Sequence, residues 1–353
     1  MNQPKVYIII VNWNGWRDTI ECLESVFRLN YQNYTVIVCD NDSTDCSIEH
    51  ISAWANGCLN SWVKTDNPLR TLTYPPIDKP IPFRNHKSTS EYDCNRHEVP
   101  LVFIKNSQNL GFAGANNVAL RSILNTDYFD YVWLLNNDTV VHPDSLNQQV
   151  AKMMNRVEAG ICGSTLFFYD QVELVQSQGG SVYNKWLGVA APIGANKSKS
   201  SILSEAEVEH QINYVAGASM LISRKFLLDI GLMSEDYFLY YEEIDWAVRG
   251  SKLFHLCYAE KSIVYHKEGA SIGSSSISKN RSIISEYFMT RNRFRFTYKF
   301  YPYALPFVYL GFIMTVFNRI RRREWGKIIP ILTASLLFMK QSECYSPRNP
   351  SQH

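Results

Sequence analysis

The stretch "YVWLLNNDTVVHP", Tyr131 to Pro143, runs five mostly apolar residues into Asn136, Asn137 and Asp138 and then resumes with Thr139, Val140 and Val141. An apolar run of this length bounded by a polar cluster predicts a buried strand of an α/β sheet, and ligands of open α/β sheets bind outside the carboxyl ends of the strands. Asp138 therefore stands where chemistry is usually found. The same arrangement recurs upstream. "VYIIIV" (Val6 to Val11) leads into "NWNG" and a helical pattern with Ile20, Leu23 and Phe27 on one face. "YTVIVCDNDSTD" (Tyr34 to Asp45) and "VPLVFIKN" (Val99 to Asn106) repeat the apolar strand and polar ending, and the helical "GANNVALRSIL" follows. Four such units separated by helical patterns imply crossover connections and a mostly parallel sheet flanked by helices, with its polar loops gathered along one edge.

A chain of 353 residues with 46% hydrophobic and 13% aromatic content can bury a sizeable core, in one large domain or two smaller ones. The 35 basic and 33 acidic residues give a net charge of +2 and no global reason to expect nucleic acid, so any basic surface is local. The eight cysteines form no CxxC pair, and the amino terminus lacks a basic region followed by a long apolar run; both predict a reduced, cytoplasmic setting. Residues 66–100 carry six prolines, several charges and little periodicity, which predicts a long surface insertion. From about Gly160 to Gly269, apolar segments alternate with helical acidic ones and continue the sheet without a clean domain boundary.

The polar loops offer Asn12 and Asn14, then Asp40, Asn41 and Asp42, then Asn109, Asn116 and Asn117, then Asn136 and Asp138. Amides and carboxylates suit base edges, ribose hydroxyls and a divalent cation with its preference for oxygen ligands. Asn and Asp also favour turns and helix caps, but their recurrence at four strand ends describes a nucleotide and metal cleft. No GxGxxG or GxxxxGK[ST] phosphate loop is present. Farther on, "YFLYYEEIDW" supplies three carboxylates; on a helix Glu242 and Asp245 share a face while Glu243 points elsewhere. "YFMTRNRFRF" offers Arg291, Arg293 and Arg295 beside aromatics, a set able to grip a diphosphate or an anionic acceptor, or to form a basic amphipathic surface.

In order along the chain, "VNWNG", "DNDSTD", "NLGFAGANN", "LLNNDT", "VAGASMLISR", "YYEEIDW" and "RNR" resemble the inverting family 2 glycosyltransferases, the rhamnosyltransferase-like branch in particular, from Lys5 to about Phe300. The resemblance implies the nucleotide-sugar-binding glycosyltransferase A-type fold, with Asp40 and Asn41 facing the base and ribose. It makes Asn136 to Asp138 the DxD-like motif; Asn136 stands where many members have Asp, which leaves Asp138 as the direct carboxylate ligand of Mg²⁺ or Mn²⁺. Glu242 and Glu243 stand at the family's Glu-Asp pair, with Glu243 at the place of the general base. His266, in "IVYHKEGAS", stands where related transferases have a histidine on the metal or the diphosphate.

The expected activity is transfer of a sugar, L-rhamnose from dTDP-L-rhamnose, onto a growing surface polysaccharide or lipid-linked glycan. The expected set is Glu243, Glu242 and Asp245 for catalysis, Asp138 and His266 for the metal, and Asn12, Asn14, Asp40, Asn41, Asp42, Asn109, Asn116, Asn136 and Arg291 for the donor. A sugar nucleotidyltransferase would favour a Gly-rich basic loop near the amino terminus, where only Arg17 stands. A non-catalytic sugar-nucleotide or glycan-binding module would lack an acid at the base or the metal, yet Asp138 and Glu243 are both present.

The expected division is a catalytic domain over 1–298, with a nucleotide-binding half over 1–140 and an acceptor half over 141–298, followed by an apolar and basic helical extension over 299–353. Phe300 to Asn318 is nineteen residues without a charge, followed by Arg319, Arg321, Arg322 and Arg323. That length is borderline for a membrane span, and Pro302, Pro306 and Gly311 interrupt it, while the next apolar run, Ile328 to Met339, is too short and contains Pro330. The expectation is a pair of helices lying in the membrane interface at the cytoplasmic face of the inner membrane; covering the sheet or forming a homodimer contact is the alternative.

Overall fold

The structure, a computed structural model, describes residues 3–59, 67–87, 99–125, 128–267 and 282–339. The chain begins with β1 (Val6–Asn12), α1 (Trp16–Val26), β2 (Tyr34–Asp40), α2 (Ser47–Ala55), β3 (Phe83–Lys87), β4 (Leu101–Lys105), α3 (Gly111–Leu124) and β5 (Tyr131–Asn136). It continues through β6 (Thr139–Val141), α4 (Ser145–Met154), β7 (Ala159–Phe168), β8 (Val175–Gln178), β9 (Gly180–Asn184), β10 (Val189–Pro192), α5 (Glu205–Gln211), β11 (Tyr214–Val215) and β12 (Ser219–Ser223). Then come α6 (Arg224–Ile230), α7 (Glu242–Gly250), β13 (His255–His266), α8 (Ile283–Phe300), α9 (Leu305–Arg321) and α10 (Trp325–Leu336).

The main sheet has the order β3-β4-β2-β1-β5-β12-β7-β13-β6, with β8 on β7. From β3 to β5 every neighbour is parallel, and beyond β5 antiparallel pairs enter. Buried on both faces, these strands read as continuous apolar runs rather than alternating ones. Successive residues still divide between the faces. Ile8, Ile10, Val36, Val38 and Trp133 pack in one cluster with α1, α2 and α4, while Ile9, Ile37, Val132 and Leu134 pack in a second with α3. Registers Asn12↔Asp40, Val11↔Asn136 and Asp40↔Lys105 align the strand ends, so the polar loops after β1, β2, β4 and β5 share one edge.

Two features differ from expectation. Within the stretch read as a surface insertion, Phe83–Lys87 forms the parallel edge strand β3 beside β4, with the Phe83 ring 5.2 Å from Phe103. Residues 66 and 88–98 of that stretch lie outside the described residues. An edge strand is held by backbone hydrogen bonds, which leave little mark on the side chains of "FRNHK". Arg319, grouped in sequence with the basic run, is buried: it pairs with Glu286 (2.7 Å) and Glu324 (3.0 Å) and pins α9 to α8. Arg321, Arg322 and Arg323 are exposed.

Candidate active site

The loops after β1, β2 and β4 form an amide network that closes on itself. Asn12 is fully buried; its Nδ2 donates to Asp40 Oδ1 (2.8 Å) and Ser43 Oγ (3.0 Å), and its Oδ1 accepts from Thr19 Oγ1 (2.8 Å). Asp40, also buried, accepts a second bond from the Ser43 amide (3.2 Å). Asn41 donates to Asn109 Oδ1 (2.8 Å) and Gly111 O, and accepts from Asn106 Nδ2 and from the Leu110 amide (3.0 Å). Every hydrogen-bonding group of the Asn41 amide is thus engaged within the protein, where the sequence reading had it facing a ligand. Asn14 and Asp42 are exposed at the rim, both with left-handed backbone, and Asn14 Oδ1 accepts from the Thr44 amide (2.7 Å). Asn116 turns back on its own helix to Phe112 O (2.9 Å), and Asn117 bonds Met233 and Glu235.

At the end of β5 lies a second kind of corner. Asn137 and Asp138 join β5 to β6, and β6 pairs with β13 in the register His266↔Thr139. This sets His266 Nε2 3.1 Å from Asp138 Oδ1 and 3.5 Å from Asn136 Nδ2. The other ring nitrogen, Nδ1, lies 2.9 Å from Gln176 Oε1, an acceptor, so Nδ1 carries a proton and Nε2 keeps a lone pair in the neutral ring. A carboxylate oxygen and an imidazole lone pair this close need a proton or a cation between them. Asp138 and His266 could therefore share a proton or hold a divalent ion between them; no group of three or more His, Cys, Asp and Glu side chains set to hold a metal occurs among the described residues. Beside them Lys267 bridges Asp18 (2.6 Å) and Glu21 (2.5 Å), and its amide donates to Asp138 O.

The acids of "YYEEIDW" fall in the first turn of α7 and separate in role. Asp245 is saturated: it accepts from Arg249 (2.7 Å), Lys299 (2.7 Å) and the Tyr237 hydroxyl (2.9 Å), so it anchors the helix instead of facing a substrate. Glu242 is buried, and its Oε2 has no hydrogen-bond partner; burial, then the charge of Glu243, hold its carboxyl well above the usual range. Burial pushes Glu243 up to about 7. The Glu243 carboxylate lies over Gly217, where a Cβ would sit 2.4 Å from Oε1, so only glycine leaves it room. The next residue, Ala218, accepts from the Asn136 amide (3.1 Å), which ties the loop under Glu243 to the end of β5.

The turn before α7 is strained: Phe238, Tyr240 and Tyr241 all have positive φ. It is held from two sides. Phe238 O accepts from the Phe112 amide (2.8 Å), an approach that Gly111 permits because a Cβ there would meet Phe238 O at 2.1 Å. From α8, Asn292 Nδ2 reaches the carbonyls of Tyr237 (2.9 Å), Leu239 (2.7 Å) and Tyr240 (3.0 Å). Arg291, expected to grip the donor, is buried and donates to Asp236 O, while Arg295 pairs with Asp236 (3.2 Å). The "RNR" segment thus braces the acid-bearing turn. Gln176, Gly217 and Asn292 were not among the expected site residues; Gly217 and Asn292 sit inside quoted motifs, and Gln176 carries no local signal.

Family models identify the class that this fold and site define. "Glycosyltransferase like family 2" matches residues 86–285 and "Glycosyl transferase family 2" matches residues 7–65. The chain belongs to glycosyltransferase family 2 and is a glycosyltransferase. Its fold is similar to that of the mannosyltransferase PcManGT from Pyrobaculum calidifontis, solved with GDP-Man and Mn²⁺, at a TM-score of 0.52 and 13% identity over 96% of this chain and 88% of that one. It is also similar to GalNAc-T7 solved with UDP, GalNAc and Mn²⁺, at a TM-score of 0.51 and 14% identity over 82% of this chain and 51% of that one. No curated protein matches the sequence.

Proposed function

We propose that the chain is a metal-dependent inverting transferase that moves a sugar from a nucleoside diphosphate donor to a glycan or lipid-linked glycan acceptor. The observation that carries this reading is the pairing of two unlike sites: Asp138 with His266, and Glu243 with Glu242, joined through Ala218 and Asn136. Glu243, half-ionised near pH 7, takes the proton from the acceptor hydroxyl as its oxygen attacks the anomeric carbon. Inversion follows from a single displacement, the base lying on the acceptor side of the sugar. Glu242, held neutral, leaves the pair with one negative charge and keeps Glu243 free to accept.

Asp138 and His266 would hold Mg²⁺ or Mn²⁺, two protein ligands leaving room for diphosphate oxygens and water, and Gln176 fixes the imidazole for that task. When bound, the cation neutralises the charge that gathers on the departing nucleoside diphosphate. Mn²⁺ and nucleotides in both structural neighbours are in keeping with this. L-Rhamnose from dTDP-L-rhamnose is the proposed donor, on the strength of the ordered motifs alone. The six cysteines among the described residues are free thiols, which supports a cytoplasmic setting.

A panel of nucleotide sugars, read by donor hydrolysis and thermal stabilisation with and without Mn²⁺, tests the proposal. One donor that stabilises the protein only with metal is the expected result. Stabilisation by nucleoside triphosphates in place of every sugar nucleotide would turn the reading to nucleotidyl transfer.

A further inference from the structure

We propose that α9, α10 and the β9–β10 hairpin tip form a docking face for an anionic lipid bilayer, on which the protein lies without crossing. The inference rests on the exposed surface alone and is independent of the reaction catalysed.

On α9, Phe307, Leu310, Met314 and Phe317 follow one another at steps of three and four and are all exposed, with Ile313 and Ile320 beside them. The most apolar eighteen-residue stretch within Pro302–Arg321 averages a hydropathy of 1.3, with only 22% of it buried. A soluble helix turns its apolar stripe inward; this one shows one outward. A second stripe, Trp325, Ile329 and Leu336, is exposed on α10. The face extends beyond these helices, because Trp186, in the turn between β9 and β10, meets Phe307 (5.3 Å) and Tyr303 (5.5 Å) edge-on and is itself exposed. Lys185 lies over the Trp186 and Tyr303 rings at 5.8 and 5.9 Å. Aromatic rings with a polar edge beside a cation suit the boundary between headgroups and acyl chains.

The geometry decides between lying on a bilayer and spanning it. With the short turn that precedes α9, the helix runs twenty residues from Pro302 to Arg321, about 30 Å and long enough by itself for a hydrocarbon core of roughly 30 Å, so packing and not length decides. The opposite side of α9 is already in use: Val308 and Phe312 are buried with Phe294 of α8 and Ile331 of α10. Withdrawing α9 to span a membrane would empty that cluster.

Charge decides between a bilayer and a second copy. From Tyr301 to Met339 the chain carries five basic residues and one acid. That acid, Glu324, is taken up by Arg319 and lies 3.9 Å from Lys327. Arg321, Arg322 and Arg323 stand exposed at the turn between the two stripes. Two such faces brought together would offer the arginines no carboxylate, whereas anionic headgroups would.

The full chain should co-sediment with phosphatidylcholine vesicles containing phosphatidylglycerol and much less with phosphatidylcholine alone, and high salt should reduce the binding. Replacing Arg321, Arg322 and Arg323 together with Gln should lower the partition coefficient on the order of a hundredfold. Phe307→Glu combined with Phe317→Glu, at exposed positions that leave the core intact, should abolish it. Sedimentation velocity without vesicles identifies the rival occupant. Wild-type chain that ignores anionic vesicles overturns the proposal, as does equal binding by both variants. A dimer split by Phe307→Glu, in a chain that binds no vesicles, assigns the face to a second copy instead.

Discussion

The loops after β1, β2 and β4 and the turn that opens α7 both bury polar side chains, yet they satisfy them in opposite ways. Asn41 engages every donor and acceptor of its amide, and Asn12 does the same. Glu242 keeps a buried oxygen with no partner, and Glu243 is raised to about 7. A closed amide network holds strand ends in register and makes them rigid, because each unmade bond would cost the desolvation of its group. A buried acid short of partners is poised to change its protonation near neutrality, which a general base requires. On the proposed function, the buried polar residues therefore divide into those that hold and those that react.

The sharpest way to break this comparison is Glu243→Gln, which should lower transfer roughly 10²- to 10⁴-fold while donor affinity by calorimetry stays within a few fold. In the wild type, kcat/KM should rise through about pH 7 as Glu243 ionises, and that step should vanish in the variant. The same shift costs stability: the folded state holds this proton up to about 7 and the unfolded chain only to 4.5, so the cost accrues as pH rises between those values. Denaturant melts at pH 8 should show Glu243→Gln more stable by up to about 3 kcal/mol. A crippled Glu242→Gln beside an active Glu243→Gln would exchange the two roles.

Gly217→Ala comes next, since its new methyl would fall 2.4 Å from Glu243 Oε1 and displace the carboxylate. An ångström of misplacement is worth about 10²-fold in transfer, with donor binding kept. Steady-state assays paired with donor titration check it. Loss of donor binding instead would mean that this loop shapes the nucleotide pocket.

Gln176→Ala should weaken Mn²⁺ binding by about 10- to 100-fold, read from free Mn²⁺ by electron paramagnetic resonance, with turnover restored at saturating metal. Unaltered affinity would show that His266 needs no fixed tautomer or does not touch the ion. Asn41→Ala should have the smallest catalytic effect, less than about tenfold, yet destabilise the fold by about 2 kcal/mol through the orphaned Leu110 amide and the bonds lost to Asn106 and Asn109. Unchanged stability with lost donor affinity would make this amide a ligand contact and erase the contrast between the two regions.

The apolar runs at Val6, Tyr34, Leu101 and Tyr131 determined the parallel half of the sheet, since such strands are buried on both faces and need no tertiary cue to be read. The polar endings of those runs likewise fall along one edge of the sheet, and the acids of "YYEEIDW" fall in the first turn of α7. Which polar residues find partners within the fold and which do not was decided only in three dimensions. Asn12 is completed by Asp40, 28 residues away, and His266 meets Asn136 across 130 residues. Asp245 is neutralised by Lys299 from α8, and Arg319 leaves the basic run to pair with Glu286. Gln176 orients a histidine 90 residues downstream, and β3 joins the sheet through its backbone. A sequence shows which side chains carry donors, acceptors and charges, but whether each is satisfied depends on partners that only the packed chain brings within hydrogen-bond reach.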